Sequence, residues 1–215
     1  MKKHACCIIA HNEPYILSVL ISLLDDPRND IYLLIDKKSD IKDFSTIKTQ
    51  YSKLVNLPRI DIKWGDISQV QAELCLLKAT LNSPNEYSYI HLISGVDLPI
   101  KSQDYIHKFM EDNEGKEFVG IDNHYTAELI GRTRYYYPFI PNRGKKNTIT
   151  GWALSKFIRI QDILRVKRKY DFEIKKGCNW VSITRRFCQY LLENEKLIIK
   201  NHCCPVKVPD DYYKV

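Results

Sequence analysis

The stretch that decides the fold is YIHLISGVDLPIKSQDYIHKFM, residues 89–110. Its start, residues 89–93, is a short apolar run typical of a buried strand, and Ser102 opens a segment with apolar residues at helical spacing. The turn between them carries one carboxylate, Asp97, where the strand ends. A strand followed by a short turn and a helix is the repeating unit of α/β domains. Asp97 is therefore either an ordinary turn residue or a residue at the edge of a binding site.

The same alternation of strand and helix runs through the first half of the chain. Further strands are predicted at residues 5–10, 31–36, 60–64 and 117–121. This order predicts an α/β domain with a mostly parallel central sheet flanked by helices. A chain of 215 residues is long enough for one well-packed domain and short for two, so we expect a single domain over residues 1–215.

Helix boundaries follow from capping residues and apolar spacing. Ser68, three residues before Gln71, has the spacing of a capping box, and Ser102 and Thr184 are expected to cap two further helices. Helical spacing also predicts a first helix that buries Ile16, Val19, Leu20 and Leu23, and a later helix over residues 153–169. Residues 122–150 show little periodicity, and long irregular segments in compact domains usually have a function.

The chain carries a formal net charge of +7, with basic clusters at residues 143–146, 165–169, 175–176 and 185–186. Such a surface could meet nucleic acid, anionic lipid or a phosphorylated small molecule, and it could equally be a solvated face. Nucleic acid is the weakest of these partners, because no recognition motif is present and the aromatic residues cluster in one loop instead of alternating with the basic runs.

The sequence favours a cytoplasmic protein with reduced cysteines. No run of about 18 apolar residues is present, so no transmembrane helix is predicted. Residues 5–10 are too short for a signal peptide, and His11-Asn12-Glu13-Pro14 follows them instead of a small-residue cleavage site. The seven cysteines include two adjacent pairs and no C-x-x-C, which fits neither a zinc site nor a regular disulfide framework.

Polar residues follow three of the predicted strands. They are His11 and Asn12 after the first, Asp36, Lys37 and Lys38 after the second, and Asp97 after the fourth. Turn chemistry explains each of them singly, but parallel strands bring their carboxyl ends to one edge, where α/β sheets bind ligands. No dinucleotide-binding, P-loop, H-E-x-x-H or Asp-x-Asp pattern occurs, so a bound metal is not predicted.

Six segments, in order, resemble the core-2/I-branching glycosyltransferases. The segments are IIAHNEP, IYLLIDKKSD, WGDISQVQAELCLL, YIHLISGVDLPIKS, GCNWVSITRRFCQYLLENE and VPDDYY. That family includes β-1,6-N-acetylglucosaminyltransferases and peptide O-xylosyltransferases, and the chain looks like a bacterial member. The resemblance implies a GT-A-like (Rossmann-like) fold. It also implies an inverting, metal-independent transfer of a sugar of the N-acetylglucosamine or xylose type from a UDP-sugar to a glycan hydroxyl.

Position within these motifs implies a role for individual residues. The resemblance assigns uridine and donor binding to Ile9, Ala10, His11, Asp36 and Lys37. It assigns the rim and the acceptor side to Asp97, Trp64, Arg132, Arg134, Gly177, Asn179 and Trp180. Asp211 stands where the family has the glutamate of a P-D-E motif, so it takes the place of the general base. Without a metal, Lys37, Lys101 or Arg185 would balance the charge of the diphosphate.

The resemblance also divides the chain into a nucleotide-sugar-binding half, residues 1–121, and an acceptor and catalytic half, residues 122–215. In the family, the basic residues that hold the diphosphate follow the P-D-E motif, so the chain is expected to be short at its C-terminus. Two functions therefore stay open, an active glycosyltransferase and a non-catalytic sugar-nucleotide or glycan-binding remnant. The expected partners are a UDP-sugar, an oligosaccharide or glycan acceptor and, peripherally, an anionic membrane surface. No cofactor and no nucleic acid are expected.

Overall fold

The computed structural model describes residues 2–63, 65–122, 133–137, 149–170 and 173–202. The strands are β1 (Lys3–Ala10), β2 (Asn29–Ile35), β3 (Lys53–Asn56), β4 (Tyr87–Ser94), β5 (Ile121–Asp122), β6 (Lys176–Gly177) and β7 (Val181–Thr184). The helices are α1 (Pro14–Leu24), α2 (Ile67–Leu81), α3 (Gln103–Asp112), α4 (Ile149–Ile163), α5 (Arg185–Glu193) and α6 (Glu195–His202), with a 3-10 turn at Ile41–Phe44. Within the described ranges, no helix is long and apolar enough to cross a membrane.

The central sheet has five strands in the order β3-β2-β1-β4-β7. Its first four strands are parallel, and β7 closes the far side antiparallel to β4. β5 and β6 form a separate, two-stranded antiparallel sheet. The predicted mostly parallel central sheet flanked by helices is confirmed.

Strand β1 is buried on both faces, which explains its continuous apolar sequence. Alternate side chains of a strand point to opposite sides of the sheet. Ala5 and Cys7 pack in a cluster with residues of α2, whereas Cys6 and Ile8 pack in a second cluster with residues of α1. Parallel strands covered by helices on both faces are expected to be apolar throughout, without polar alternation.

The third strand of the sheet is Lys53–Asn56, and the prediction of a strand at residues 60–64 is wrong over its described part. The ladder with β2 runs one bond past β3, where the Leu57 N–H donates to the Leu33 carbonyl at 2.9 Å. Pro58 follows and has no N–H to donate, so the regular ladder ends there, and a single further bond joins the Lys37 N–H to the Ile60 carbonyl at 2.9 Å. The isoleucines beyond it pack against the core from a loop.

The predicted strand at residues 117–121 is also wrong in extent. The chain makes an isolated antiparallel bridge between Phe118 and Ser182, and the only regular pairing nearby within the described ranges is the two-residue β5. The Glu117 carboxylate accepts the Thr184 N–H at 2.7 Å. The Glu117 side chain thus accepts the Thr184 N–H, which a longer backbone ladder would have used as a donor.

The predicted buried face of α1 is wrong by one residue. The buried side chains are Leu17, Leu20, Ile21 and Leu24. The sequence of this helix, PYILSVLISLL, is apolar almost all round. Its periodicity therefore does not identify which stripe packs against the sheet.

Two of the three predicted caps are confirmed. The hydroxyls of Ser102 and Thr184 accept the N–H groups of Tyr105 and Phe187, at 3.3 and 3.1 Å. Helix α2 instead begins one residue before Ser68, and its cap is the residue preceding the helix, whose carboxylate accepts the Ser68 N–H at 3.0 Å. The prediction of Ser68 as the cap is therefore wrong, because Asp66 is also a favoured cap residue and stands two residues earlier.

Helix α4 is Ile149–Ile163, not residues 153–169. Arg165 adopts a left-handed conformation with φ 54°. The N–H of Val166 donates back to the carbonyl of Gln161 at 2.9 Å, the pattern of a Schellman motif. That motif ends the helix six residues before the predicted end.

Two buried histidines link neighbouring strands. His4 Nδ1 of β1 lies 3.1 Å from His91 Nε2 of β4, and the Ser182 hydroxyl lies 2.8 Å from His91 Nδ1. The ring of His107 stacks on His4 with a centroid distance of 4.0 Å. Burial lowers the pKa of His4 to about 2 and that of His91 to about 4. Both rings are therefore neutral in the folded protein near pH 7.

The contribution of His91 to the free energy of unfolding is expected to fall by roughly 2 kcal/mol between pH 7 and pH 5. The unfolded chain protonates its histidines near pH 6.5, whereas the fold resists protonation of His91 until about pH 4. The stabilisation is thus complete above pH 6.5 and is lost as the pH falls from there. Urea denaturation at several pH values measures the slope, which His91→Gln is expected to flatten. An equal slope in wild type and variant would contradict this assignment.

Candidate functional site

The exits of β1, β2 and β4 lie side by side at one edge of the sheet. The Asp36 N–H donates to the Ala10 carbonyl at 2.8 Å, and the Gly95 N–H donates to the Ile9 carbonyl at 2.8 Å. The hydrogen-bond ladder therefore continues to the ends of these strands. The polar residues that follow the three strands share one edge of the sheet, as the parallel order predicted.

Asp36 is the buried charge at this edge, with its side chain 7% exposed. The Lys38 ammonium donates to its two oxygens at 2.8 and 3.0 Å, and the Lys38 N–H donates to Oδ1 at 2.9 Å. The same ammonium lies 3.1 Å from Asp61 Oδ1. Desolvation lowers the pKa of Lys38, but the hydrogen bonds to both carboxylates outweigh it and the pKa is raised. The Lys38 side chain is 56% exposed, so the ion pair lies at the surface of the protein.

The loop after β2 is held by Arg59, a residue that the sequence patterns did not single out. One terminal nitrogen of its guanidinium donates to the carbonyls of Asp36 and Lys37 at 2.8 and 3.0 Å, and also to the carbonyl of Ser39. The Ser39 hydroxyl in turn donates to the carbonyl of His11 at 2.6 Å. These contacts tie the loop after β2 to the loop after β1.

Gly95 and Asp97 build the loop after β4. A Cβ atom at Gly95 would lie 2.7 Å from the Cβ of Ala10, so only glycine allows this approach to β1. The Asp97 carboxylate accepts the Ser94 N–H at 2.8 Å. The side chain therefore fixes the turn, and a contact between Asp97 and a sugar stays a prediction.

Residues 65–69, the described part of the motif WGDISQ, form the start of α2 and the turn before it. Asp66 caps the helix, the Ser68 hydroxyl accepts the Lys63 N–H at 2.9 Å, and the Gln69 side chain accepts the Gly65 N–H at 2.7 Å. Gly65 has a φ of 72°, a conformation that favours glycine. The motif thus sets the position of the first turn of α2 beside the sheet.

A cavity of about 530 Å³ lies between α2, β7 and α5. Its polar side chains include Glu73 of α2 and Asn179 of the loop before β7, and most of its walls are apolar. Burial raises the pKa of Glu73 to about 7. A different cavity, of about 280 Å³ on the α3 side, is lined by Asp97, Pro99 and His91. Asp97 and Asn179, both predicted to contact substrate, therefore line separate cavities.

Comparison with known families decides the classification. The model of the Core-2/I-Branching enzyme family matches residues 5–214, nearly the whole chain. The chain belongs to this family. The resemblance carried by the six motifs is confirmed, and the observed sheet agrees with the GT-A-like fold that it implied.

Curated members of the Core-2/I-Branching family are distant relatives. The chain is 23% identical over 181 residues to "Xylosyltransferase oxt" of Drosophila pseudoobscura pseudoobscura, covering 82% of this chain and 19% of that protein. It is 25% identical over 137 residues to the human "N-acetyllactosaminide beta-1,6-N-acetylglucosaminyl-transferase", covering 62% of this chain and 31% of that protein. The chain thus spans less than a third of the length of either relative.

Among solved structures, a 4-diphosphocytidyl-2C-methyl-D-erythritol synthase from Anaerococcus prevotii DSM 20548 superposes with a TM-score of 0.45 and 13% identity. The superposition covers 98% of this chain and 80% of that one. A likeness of this strength is not evidence of shared chemistry.

The remaining residues carried over from the family stand in three groups. Trp64, Arg132 and Asp211 lie outside the described residues. His11, Lys37, Gly177, Asn179 and Trp180 are exposed, and Ile9 and Arg134 are half-buried. The guanidinium of Arg134 lies 5.6 Å from the ring centroid of Tyr135. Their roles stay predictions.

A cluster of metal-ligating side chains would indicate a metal site. Within the described part of the chain, no group of three or more His, Cys, Asp or Glu residues lies close enough together to hold a metal ion. The free cysteines there are Cys6, Cys7, Cys75, Cys178 and Cys188.

Proposed function

We propose that this chain is an inverting, metal-independent glycosyltransferase that moves a sugar from a UDP-sugar to a glycan hydroxyl. The observation that carries the proposal is the buried carboxylate of Asp36, placed between the exits of β1 and β2 in a chain of the Core-2/I-Branching family. A carboxylate there can accept hydrogen bonds from uridine. The Lys38 ammonium covers that carboxylate and Lys38 is 56% exposed, so in this proposal a donor group of uridine displaces the ammonium from Asp36.

The donor sugar is proposed to be of the N-acetylglucosamine or xylose type. The activities for which the two curated relatives are named, N-acetylglucosaminyl transfer and xylosyl transfer, support this choice. In this proposal residues 1–121 hold the donor, and residues 122–215 hold the acceptor and the general base.

The proposed mechanism is a single displacement with Asp211 as the base. The Asp211 carboxylate takes the proton of the acceptor hydroxyl while that oxygen bonds to the anomeric carbon. The bond from the anomeric carbon to the diphosphate breaks, and UDP leaves from the opposite face of the sugar. Basic side chains such as Lys37, Lys101 or Arg185 would balance the negative charge that develops on the diphosphate.

Calorimetric titration of a UDP-sugar panel in EDTA tests the proposal. Saturable binding of at least one UDP-sugar is the expected result, and its turnover to UDP in the presence of glycans shows transfer. Binding without turnover would favour the alternative, a sugar-nucleotide or glycan-binding remnant. Absence of binding by UDP and by every UDP-sugar would exclude glycosyl transfer and a sugar-nucleotide-binding remnant.

We also propose that α4 contacts an anionic membrane surface from the cytoplasmic side. Trp152 and Ile163 lie on its outer face and are 63% and 74% exposed, and the Lys156 ammonium lies 5.5 Å from the Trp152 ring centroid. Basic residues follow the helix within 165–169. Exposed aromatic and apolar side chains beside basic ones match the boundary of an anionic bilayer.

Sedimentation with lipid vesicles checks the membrane contact. Binding to phosphatidylglycerol-containing vesicles, and not to pure phosphatidylcholine, is expected and should weaken in the double variant Trp152→Ser, Ile163→Ser. Leu197→Ser removes an exposed apolar side chain of α6 and serves as the control. Equal sedimentation of wild type and double variant would contradict the proposal.

A further inference from the structure

Glu73 is a carboxylic acid on the side of α2 that faces the cavity of about 530 Å³. The apolar walls of that cavity include Val70, Leu74, Leu92, Val181, Ile183 and Phe187. Glu73 makes no hydrogen bond or ion pair with any residue that the structure describes, in contrast to the capping residues of the same helix. Burial in these surroundings disfavours its charge and raises its pKa to about 7.

The structural needs of α2 do not explain Glu73. Within the same motif, Asp66, Ser68 and Gln69 each have a partner that shapes the helix start. A partly buried carboxyl group that has no partner among the described residues costs free energy, so with respect to those residues an apolar side chain would suit the fold better at this position. Its presence therefore points to a ligand that enters the cavity.

The cavity lies toward the same edge of the sheet as the proposed donor site. Leu92 is two residues from the end of β4, and in the antiparallel register it pairs with Val181, the first residue of β7. Asn179, just before β7, therefore stands near the carboxyl end of β4. The first two turns of α2 supply the opposite wall.

We propose that this cavity binds a neutral sugar ring of the acceptor glycan, with the Glu73 carboxylate accepting hydrogen bonds from two of its hydroxyls. The inference rests on the proposed function and names the substrate class of that site. Asn179 can pair with a further hydroxyl, and the apolar walls suit the C–H face of a pyranose. A neutral ligand is favoured because the carboxylate repels phosphate and sialic acid groups.

The protonation state of Glu73 gives the binding a pH dependence. The ionised carboxylate accepts two hydrogen bonds, whereas the protonated group has lost part of its acceptor capacity. With a pKa of about 7 in the free protein, most of the ionised form disappears between pH 8 and pH 6. The affinity for the sugar is therefore expected to fall about tenfold over that interval, because the ionised fraction falls about tenfold.

Ligand-observed NMR with methyl glycosides of neutral hexoses, pentoses and N-acetylhexosamines tests the inference on the full chain. Wild type is expected to bind at least one glycoside, more tightly at pH 8 than at pH 6. Glu73→Gln keeps the shape but cannot ionise, so it should bind about tenfold more weakly at pH 8 and show no pH dependence. Glu86→Gln, at an exposed position after α2, is the matched control and should behave as wild type.

Stability measurements separate a binding role from a structural one. Glu73→Leu is expected to raise the urea midpoint and to abolish glycoside binding, since it removes an unpartnered carboxyl from an apolar cavity. A lowered midpoint in Glu73→Leu, together with wild-type glycoside binding in Glu73→Gln, would overturn the inference.

The experiment also distinguishes this inference from the proposed function. UDP-sugar binding with glycoside affinities that do not depend on Glu73 would overturn the inference and leave the glycosyltransferase proposal standing. Glu73-dependent glycoside binding without any UDP-sugar binding would support the cavity as a glycan site and overturn glycosyl transfer.

Discussion

Asp211→Asn is expected to lower the rate of sugar transfer by about 10²–10⁴-fold, the usual contribution of a positioned general base. The amide cannot take the proton of the acceptor hydroxyl, so the attack on the anomeric carbon loses its base. The affinity for the UDP-sugar should stay within about twofold of wild type, because the lost interaction belongs to the transition state. Release of UDP under single-turnover conditions measures the rate, and calorimetry measures the affinity.

The neighbouring carboxylate supplies the control for this prediction. Asp210→Asn removes the same charge one residue earlier and should leave the rate within a few-fold of wild type. Asp211→Glu keeps a base with one more methylene, as in the family motif, and should retain transfer. Equal rates for Asp211→Asn and wild type would show that another group, or water alone, takes the proton.

Asp36→Asn is expected to weaken UDP binding by about 10–100-fold, since a hydrogen bond to a charged group contributes about 1.5–3 kcal/mol. The asparagine fills the same volume and keeps one acceptor oxygen, but it loses the charge that favours a donor group of uridine. Calorimetric titration of UDP at pH 7 measures the loss.

Asp61→Asn is the matched control for Asp36. Asp61 contacts the same Lys38 ammonium but is 47% exposed and lies outside the exits of β1 and β2. The affinity of the Asp61→Asn variant for UDP should equal that of wild type within about twofold. A comparable loss in both variants would assign the effect to Lys38 or to general electrostatics. Unchanged affinity in Asp36→Asn would remove Asp36 from the donor site.

Local rules were sufficient where one segment determines its own structure. The strand, turn and helix of residues 89–110 are found as the sequence predicts, because Ser102 provides a cap and the apolar run has a single interpretation. The turn itself depends on Gly95, whose need for space follows from contact with Ala10 on another strand. Sequence alone therefore located this turn but did not show why glycine stands in it.

Local rules failed where partners come from distant segments. The third strand was misplaced because the alternating isoleucines after Pro58 resemble a strand, whereas the actual partner of β2 is the less apolar Lys53–Asn56. Arg59 belongs to no sequence motif, and the three carbonyls that accept its hydrogen bonds lie in a loop 20 to 23 residues earlier. Its role is visible only in three dimensions.

Glu73 is different, because a signal for it was present in the sequence. It stands three residues after Val70 and four before Leu77, two apolar residues at helical spacing in α2. A carboxylate on an apolar stripe is unusual enough to mark a candidate site. Glu73 belongs to no catalytic spacing pattern, so motifs alone do not identify it.

The most direct test of glycosyl transfer is the rate of UDP release from a UDP-sugar in EDTA, with a glycan panel present, for wild type and Asp211→Asn. We predict acceptor-stimulated release by wild type that persists in EDTA and falls by about 10²-fold or more in the variant. Absence of acceptor-stimulated release by wild type, or an equal rate in the variant, would contradict a metal-independent glycosyltransferase with Asp211 as its base.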